Sequence, residues 1–331
     1  MSCLNPMIAS LKREGSEDMR PRILKDWTAN WKRKRNIQLP DLIAHYRDTG
    51  ELVENTLLPC RKCLYCLQVR SRDWATRCAH EASLHKHNAF LTLTYAPKHL
   101  PEYGSLCLDD MQKFFKRLRK ANPDFKIRYF YSGEYGDVRK TFRPHYHVAL
   151  FNLAIPAMQY WKSENKNNNH YYISSEMDKI WGKGRVVIGD LTYESAAYIA
   201  RYTLKKKFGK ESSSRYRRYH HPTGEIVQLK PEFSCPSRRG GGIGKGWFEK
   251  YWRDLYPSDT CVMNGFVSKP PEYYDKLLLK KDPEMYKRVK DKRKLEASKP
   301  KDTSFARLIA QQVHMEQRMS RLVRVLDESY N

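Results

Sequence analysis

The chain has 331 residues and a formal net charge of +25, long enough for one large domain with decorations and a substantial core. No run of about 18 apolar residues occurs, and the N-terminus has no apolar stretch, so neither a membrane span nor a secretory signal is expected. Its eight cysteines are three clustered and the rest scattered, which argues against a small secreted disulfide scaffold and for a reducing cytoplasm. So basic a chain is expected to bind nucleic acid, with a salt-dependent affinity that carries no sequence information.

Residues 1–85 form a basic, poorly periodic N-terminal region holding PCRKCLYC, with Cys60, Cys63 and Cys66. The following LQVRSRDWATRCAHEASLH predicts a helix, with Leu67, Val69, Trp74, Ala75 and Cys78 apolar among basic residues. The C-x2-C-x2-C run suggests a structural zinc ion, which needs a fourth ligand. Cys78, His80 and Cys3 are the candidates, and Cys78 is the expected one. The other reading is three reduced thiols buried in a compact turn.

Residues 86–210 change in texture and are expected to form the core. NAFLTLTY (88–95), KIRYFYSGE (126–134), HYHVALFNL (145–153) and GRVVIGDL (184–191) predict strands. The second is expected to end at Gly133 and Gly136. LDDMQKFFKRLRKA (108–121) predicts a helix with Met111, Phe114, Phe115 and Leu118 on one face. SENKNNNHYY (163–172) reads as a polar surface insertion. YESAAYIARYTLKKK (193–207) predicts a second helix, with Thr192 as N-cap. Residues 211–271 read as a basic extension with a turn at HPTGE (221–225) and a glycine-rich loop at 240–246. Residues 272–331 read as a charged helical tail. Strands alternating with helices over 88–207 argue an α+β core.

Two motifs in the core carry chemistry. His145 and His147 lie two apart on a predicted strand, so both imidazoles point to one face and can share a divalent metal. Tyr146, Val148 and Leu150 on the other face would pack the strand down. Glu134 reaches the same metal if its strand pairs with this one. A second pair, His85 and His87, precedes a strand and has no acidic partner, so it reads as surface. Tyr198 and Tyr202 lie four apart on the predicted helix and share a face, with Lys205 one turn on. Spacing alone does not separate them from Tyr131 and Tyr135, which span Gly133 and share no helical face.

The order of these elements is more specific than any one of them. FLTLTY, an acidic residue about ten positions before HYHVALF, and a helix with YIARY together resemble the HUH endonuclease superfamily in its two-tyrosine form. The chain is most similar to the replication initiators of gokushoviruses and related microviruses. PCRKC-x-x-C with RSRDWATRCAHEA, and GGIGKGWFEKYWRDLYP (241–257), extend the resemblance to roughly residues 55–260. It implies an antiparallel sheet with flanking helices (an RRM-like core) plus basic N- and C-terminal extensions. It implies Mg²⁺ or Mn²⁺ held by His145, His147 and Glu134, and nucleophiles at Tyr198 and Tyr202. Lys205 would assist at the phosphate, and Arg143, Arg201 and Lys206 would contact DNA. The implied reaction is origin nicking through a 5′-phosphotyrosine, then rejoining, in rolling-circle replication within a bacterial cytoplasm. A host DNA polymerase would extend the freed 3′-hydroxyl.

GGGIGKGW is not a P-loop: Arg239 stands at its first glycine position, and Gly246 replaces the Mg²⁺-binding Ser or Thr. No ATPase is expected, and a host helicase would separate the strands. Aromatics mixed with basic residues, as in RYFYSGEYGDVRK and RYRRYHHP, suit stacking on unpaired bases. The competing readings are a transposase or relaxase of the same superfamily and a non-catalytic single-stranded DNA-binding protein.

Overall fold

The structure is a computed structural model. It describes residues 3, 7–10, 22–23, 55–61, 63–136, 142–164, 169–205, 216–220, 223–298 and 305–320. Among them, one compact unit is drawn from Met1–Val69 and Lys290–Val323, and another from Arg70–Val289.

In the first unit, β1 (Met7–Ser10) pairs antiparallel with both β2 (Arg22–Ile23) and β3 (Asn55–Leu58). Helix α1 (Leu64–Ala82) begins there and carries the division between the units. Asn88 Nδ2 closes its far end, donating to the carbonyls of Ala82 and His85.

The second unit is built on a seven-stranded sheet. Its elements are β4 (Asn88–Thr94), α2 (Leu108–Ala121), β5 (Arg128–Tyr135), β6 (Pro144–Phe151), β7 (Gln159–Glu164), β8 (Asn169–Ile173), α3 (Ser175–Trp181), β9 (Val186–Gly189) and α4 (Tyr193–Lys205). The hairpin β10 (Arg217–His220) and β11 (Glu225–Gln228) leads to β12 (Phe233–Pro236). The sheet order is β12-β5-β6-β4-β9-β8-β7, and every neighbouring pair is antiparallel. The expected antiparallel sheet with flanking helices is present.

Alternation along the three central strands decides what each face holds. On one face, Leu91 and Leu93 of β4, Tyr131 of β5, and Tyr146, Val148 and Leu150 of β6 join a buried core. Helix α2 covers it with Met111, Phe114, Phe115 and Leu118, and α3 adds Met177 and Trp181. On the other face, Phe90, Phe130, Ala149 and Phe151 pack under Ala196, Tyr198, Ile199 and Ala200 of α4 and Cys78 of α1.

Three expectations need correction. Strand β5 does not end at Gly133 but runs through it to Tyr135. The Tyr146 ring lies over Gly133, where a Cβ would sit 2.9 Å from its Cε1, so the glycine makes room for a close neighbour. The polar segment 163–172 is not simply an insertion, because its ends form β7 and β8 at the sheet edge; residues 165–168 lie outside the described residues. An edge strand tolerates polar residues, which removed the expected apolar signal. FSCP, read as extension, supplies the opposite edge strand β12, where Pro236 needs no ladder donor.

The glycine-rich loop leads into α5 (Lys245–Leu255). Arg128 donates to the carbonyls of Arg239, Gly241 and Gly242 and pairs with Glu81. Glu81 also accepts from the Gly244 amide at 2.7 Å. A smaller core gathers Phe248, Trp252 and Leu255 of α5, Cys261 of the hairpin β13 (Cys261–Met263) and β14 (Phe266–Ser268), and Tyr274 and Leu278 of α6 (Glu272–Lys281). Two further helices follow, α7 (Pro283–Ser298) and α8 (Phe305–Ser320). Among the described residues, no helix is long and apolar enough to cross a membrane.

Candidate active site

Strands β5 and β6 pair with Glu134 opposite His145 and Ser132 opposite His147. That register, with both histidines on one face, brings the three side chains together. His145 Nε2 lies 2.8 Å and His147 Nε2 2.7 Å from the same oxygen, Glu134 Oε1. Glu134 and His147 are fully buried, and His145 is half-buried.

Burial works to raise the Glu134 carboxyl. The charge and hydrogen bond of His145, then those of His147, outweigh it and hold the group at about 2. The outer nitrogens also have partners. His145 Nδ1 lies 3.3 Å from the Arg143 carbonyl, which only accepts, so Nδ1 donates there, and Nε2 donates to the Glu134 carboxylate. His147 Nδ1 lies 2.9 Å from Thr92 Oγ1 on β4, and that hydroxyl can take the same role.

This donor set suits a divalent ion. Ligand bonds of 2.0–2.1 Å in octahedral geometry put neighbouring ligand atoms about 2.9 Å apart, close to the two distances at Glu134 Oε1. On a bound ion, two imidazoles with one carboxylate would leave coordination positions for further ligands, and the nitrogen donors would suit Mn²⁺ better than Mg²⁺.

The tyrosine helix lies directly over this group. The Tyr198 ring meets the His147 ring edge-on, with centroids 5.1 Å apart at 83°. Phe90 packs beneath both, 5.4 Å from His147 and 6.3 Å from Tyr198. Thr192 caps α4 as expected: its Oγ1 accepts from the Ser195 amide at 3.2 Å, and Ser195 Oγ accepts from the Thr192 amide at 2.8 Å. Helix α4 also carries residues 201–205, but the side chains of Arg201, Tyr202 and Lys205 lie outside the described residues, as does Lys206. Arg143 is exposed at the site's edge and donates to the Tyr95 carbonyl at 2.8 Å. His87 is exposed, in keeping with its surface reading, but His85 is half-buried and does have an acidic partner, Glu81 at 3.4 Å, which lies four residues earlier on α1.

Sequence reasoning passed over Thr92 and Ser132. Both follow from the period of two, since they fall on the histidine face of β4 and β5 and are buried there.

The cysteine cluster differs from expectation in one member. Cys60, Cys63 and Cys66 come together, and the fourth sulfur beside them is that of Cys3, all lying within 4.8 Å of one another. Cys78 is instead buried with Trp74, Phe130 and Ile199 against the sheet. It lies four residues after Trp74, so helical spacing puts both on the apolar face of α1. His80 stacks on Trp247, with ring centroids 3.5 Å apart.

The stretch from β4 to α4 that builds this site is also what matches a known family. The family model for replication-associated protein ORF2 matches residues 88–207. The chain is 31% identical over 289 residues to replication-associated protein ORF2 of Spiroplasma virus 4, covering 83% of this chain and 80% of that protein. It is 31% identical over 267 residues to replication-associated protein VP4 of Bdellovibrio phage phiMH2K, covering 78% of each. Replication-associated protein ORF4 of Chlamydia phage 1 is 31% identical over 244 residues, 67% of this chain and 54% of that one. No solved structure matches the chain. The chain belongs to the ORF2 family of replication-associated proteins. It is a phage replication-associated protein of the type found in these small phages.

Proposed function

We propose that the protein starts rolling-circle replication by nicking single-stranded DNA at a phage origin and later rejoining the ends. The observation that carries this reading is the convergence of His145, His147 and Glu134 on one sheet face, with Tyr198 of α4 against His147. A bound Mn²⁺ or Mg²⁺ would supply charge stabilisation at the non-bridging phosphate oxygens.

The chain's own residues do the rest. His145 and His147, oriented by Arg143 O and Thr92, hold their Nε2 atoms toward the phosphate position. Tyr198, packed on His147 and Phe90, is positioned as the attacking phenol. Its oxygen gives up its proton and bonds to phosphorus as the bond to the 3′-oxygen breaks, and that oxygen takes up one proton to leave as a hydroxyl. The phosphotyrosine conserves the energy of the broken bond, so rejoining needs no ATP.

Tyr202, one turn on, serves as the second nucleophile. One tyrosine holds the 5′ end while the circle is copied, and the other cuts the regenerated origin. Lys205 assists at the phosphate. Arg143, Arg201 and Lys206 contact the DNA backbone, consistent with a net charge of +25. A host helicase opens the duplex, and a host polymerase extends the 3′-hydroxyl.

The test is incubation of the protein with origin-containing single strands and Mn²⁺, followed by a denaturing gel. A protein–DNA adduct is expected, and Tyr198→Phe with Tyr202→Phe should abolish it. No adduct with any divalent ion, while binding persists, would leave a non-catalytic DNA-binding protein. Adduct on strands lacking the phage origin, resolved into insertions, would favour a transposase.

A further inference from the structure

The pairing of β1 with β3 sets Met7 opposite Leu58, so the start of β1 lies beside the end of β3. Cys3 precedes one strand and Cys60 follows the other, and their sulfurs lie 3.5 Å apart. Cys3 Sγ is also 3.8 Å from Cys63 Sγ. Arg61 takes a left-handed conformation (φ 57°), turning the chain between Cys60 and Cys63. Cys63 immediately precedes α1 and Cys66 lies in its first turn, three residues on. That spacing puts both on one side of the helix start.

We propose that Cys3, Cys60, Cys63 and Cys66 together bind one structural zinc ion through their four sulfurs. Zinc–sulfur bonds of 2.3 Å in a tetrahedron set the sulfurs about 3.8 Å apart, and the two separations from Cys3 lie close to that edge. Two backbone donors point at the same sulfurs: the Cys60 amide donates to Cys3 Sγ and the Cys63 amide to Cys60 Sγ, both at 3.2 Å. Amide bonds of this kind fix ligating sulfurs in place. Disulfides do not account for the arrangement, since each joins only two sulfurs and four converge here. The C-x2-C-x2-C spacing also occurs in iron–sulfur proteins. There each cysteine ligates a different iron, which demands sulfurs farther apart than these. Binding replaces thiol protons with one Zn²⁺ and ties residue 3 to the start of α1, giving the small β1–β3 sheet a clasp that its short strands need. This site is independent of the nicking chemistry proposed for the histidine face.

The test is metal analysis of the full chain, purified under reducing conditions without added metal. Roughly one zinc per chain is expected. Cys3→Ser should bring zinc close to none, while Cys78→Ser should leave it unchanged. Alkylation mapped by mass spectrometry gives a readout on the unaltered protein. Cys3, Cys60, Cys63 and Cys66 should be protected together and become labelled together when a chelator removes the metal. Absence of zinc, full zinc in Cys3→Ser with loss in Cys78→Ser, independent labelling of the four thiols, or several irons per chain with visible absorption would each overturn the site. Because adduct formation is a separate assay, failure of the zinc site and failure of the nicking reading are distinguishable.

Discussion

The two faces of β4, β5 and β6 are both largely buried but differ chemically, since one is apolar and the other joins an apolar patch around Phe90, Phe130, Ala149 and Phe151 to a polar cluster. On one, Leu91, Leu93, Tyr146, Val148 and Leu150 are 0% exposed and apolar but for the tyrosine hydroxyl. On the other, Thr92, Ser132, Glu134 and His147 are 0–1% exposed and polar or charged. Burying such groups is costly unless they bond to one another. Most do: His147 bonds to Thr92, and both histidines meet Glu134, while the Ser132 hydroxyl has no hydrogen-bond partner among the described residues. The apolar face stabilises the sheet, and the polar face uses that stability to hold a charged cluster out of water, where its field acts at full strength.

The contrast is open to attack from either side. On the polar face, His147→Ala should cost the most in function. It removes one of the proposed metal ligands and should lower the rate of adduct formation roughly a thousandfold or more, since a bound metal would supply several kcal/mol of charge stabilisation. Circular dichroism should show the fold retained. On the apolar face, Leu91→Ala should cost about 2–5 kcal/mol in stability, seen in urea unfolding, with nicking intact wherever the protein remains folded. If the two variants traded effects, the division of labour between the faces would be wrong.

A buried polar group away from both faces provides a comparison without a metal. Burial lowers the His80 imidazole from 6.5 to about 4. The folded value lies below the unfolded one, so this stability is complete above about pH 6.5 and is lost as pH falls toward 4, by about 3 kcal/mol in all. The melting temperature should fall more steeply over that window in the native protein than in His80→Gln.

The smallest effect tests the support of the metal cluster. Thr92→Val keeps the shape and removes the hydroxyl at His147 Nδ1. It should weaken Mn²⁺ binding about 10–100-fold, measured by calorimetry. An unchanged affinity would mean that packing against Phe90 alone orients His147.

Much of this protein was legible from the chain. Periodicity of two placed His145 and His147 on one face and Tyr146, Val148 and Leu150 on the other, and helical spacing put Met111, Phe114, Phe115 and Leu118 toward the core. Those are local rules, set by backbone geometry, and they survive without knowledge of neighbours. The partners were decided elsewhere. Whether Glu134 reaches the histidines depended on the β5–β6 register, which only strand pairing sets. The edge strands β7 and β12 were hidden because an exposed edge needs no apolar pattern, and β8 next to β7 shares its polar texture. Cys3, not Cys78, joins the cysteine cluster because β1 pairs with the distant β3, setting Ser10 opposite Asn55, while Cys78 is drawn to the apolar face of its helix. Residue types and periods could name the chemistry, but choosing which distant groups meet required long-range pairing, where the free energy lies in contacts no local window contains.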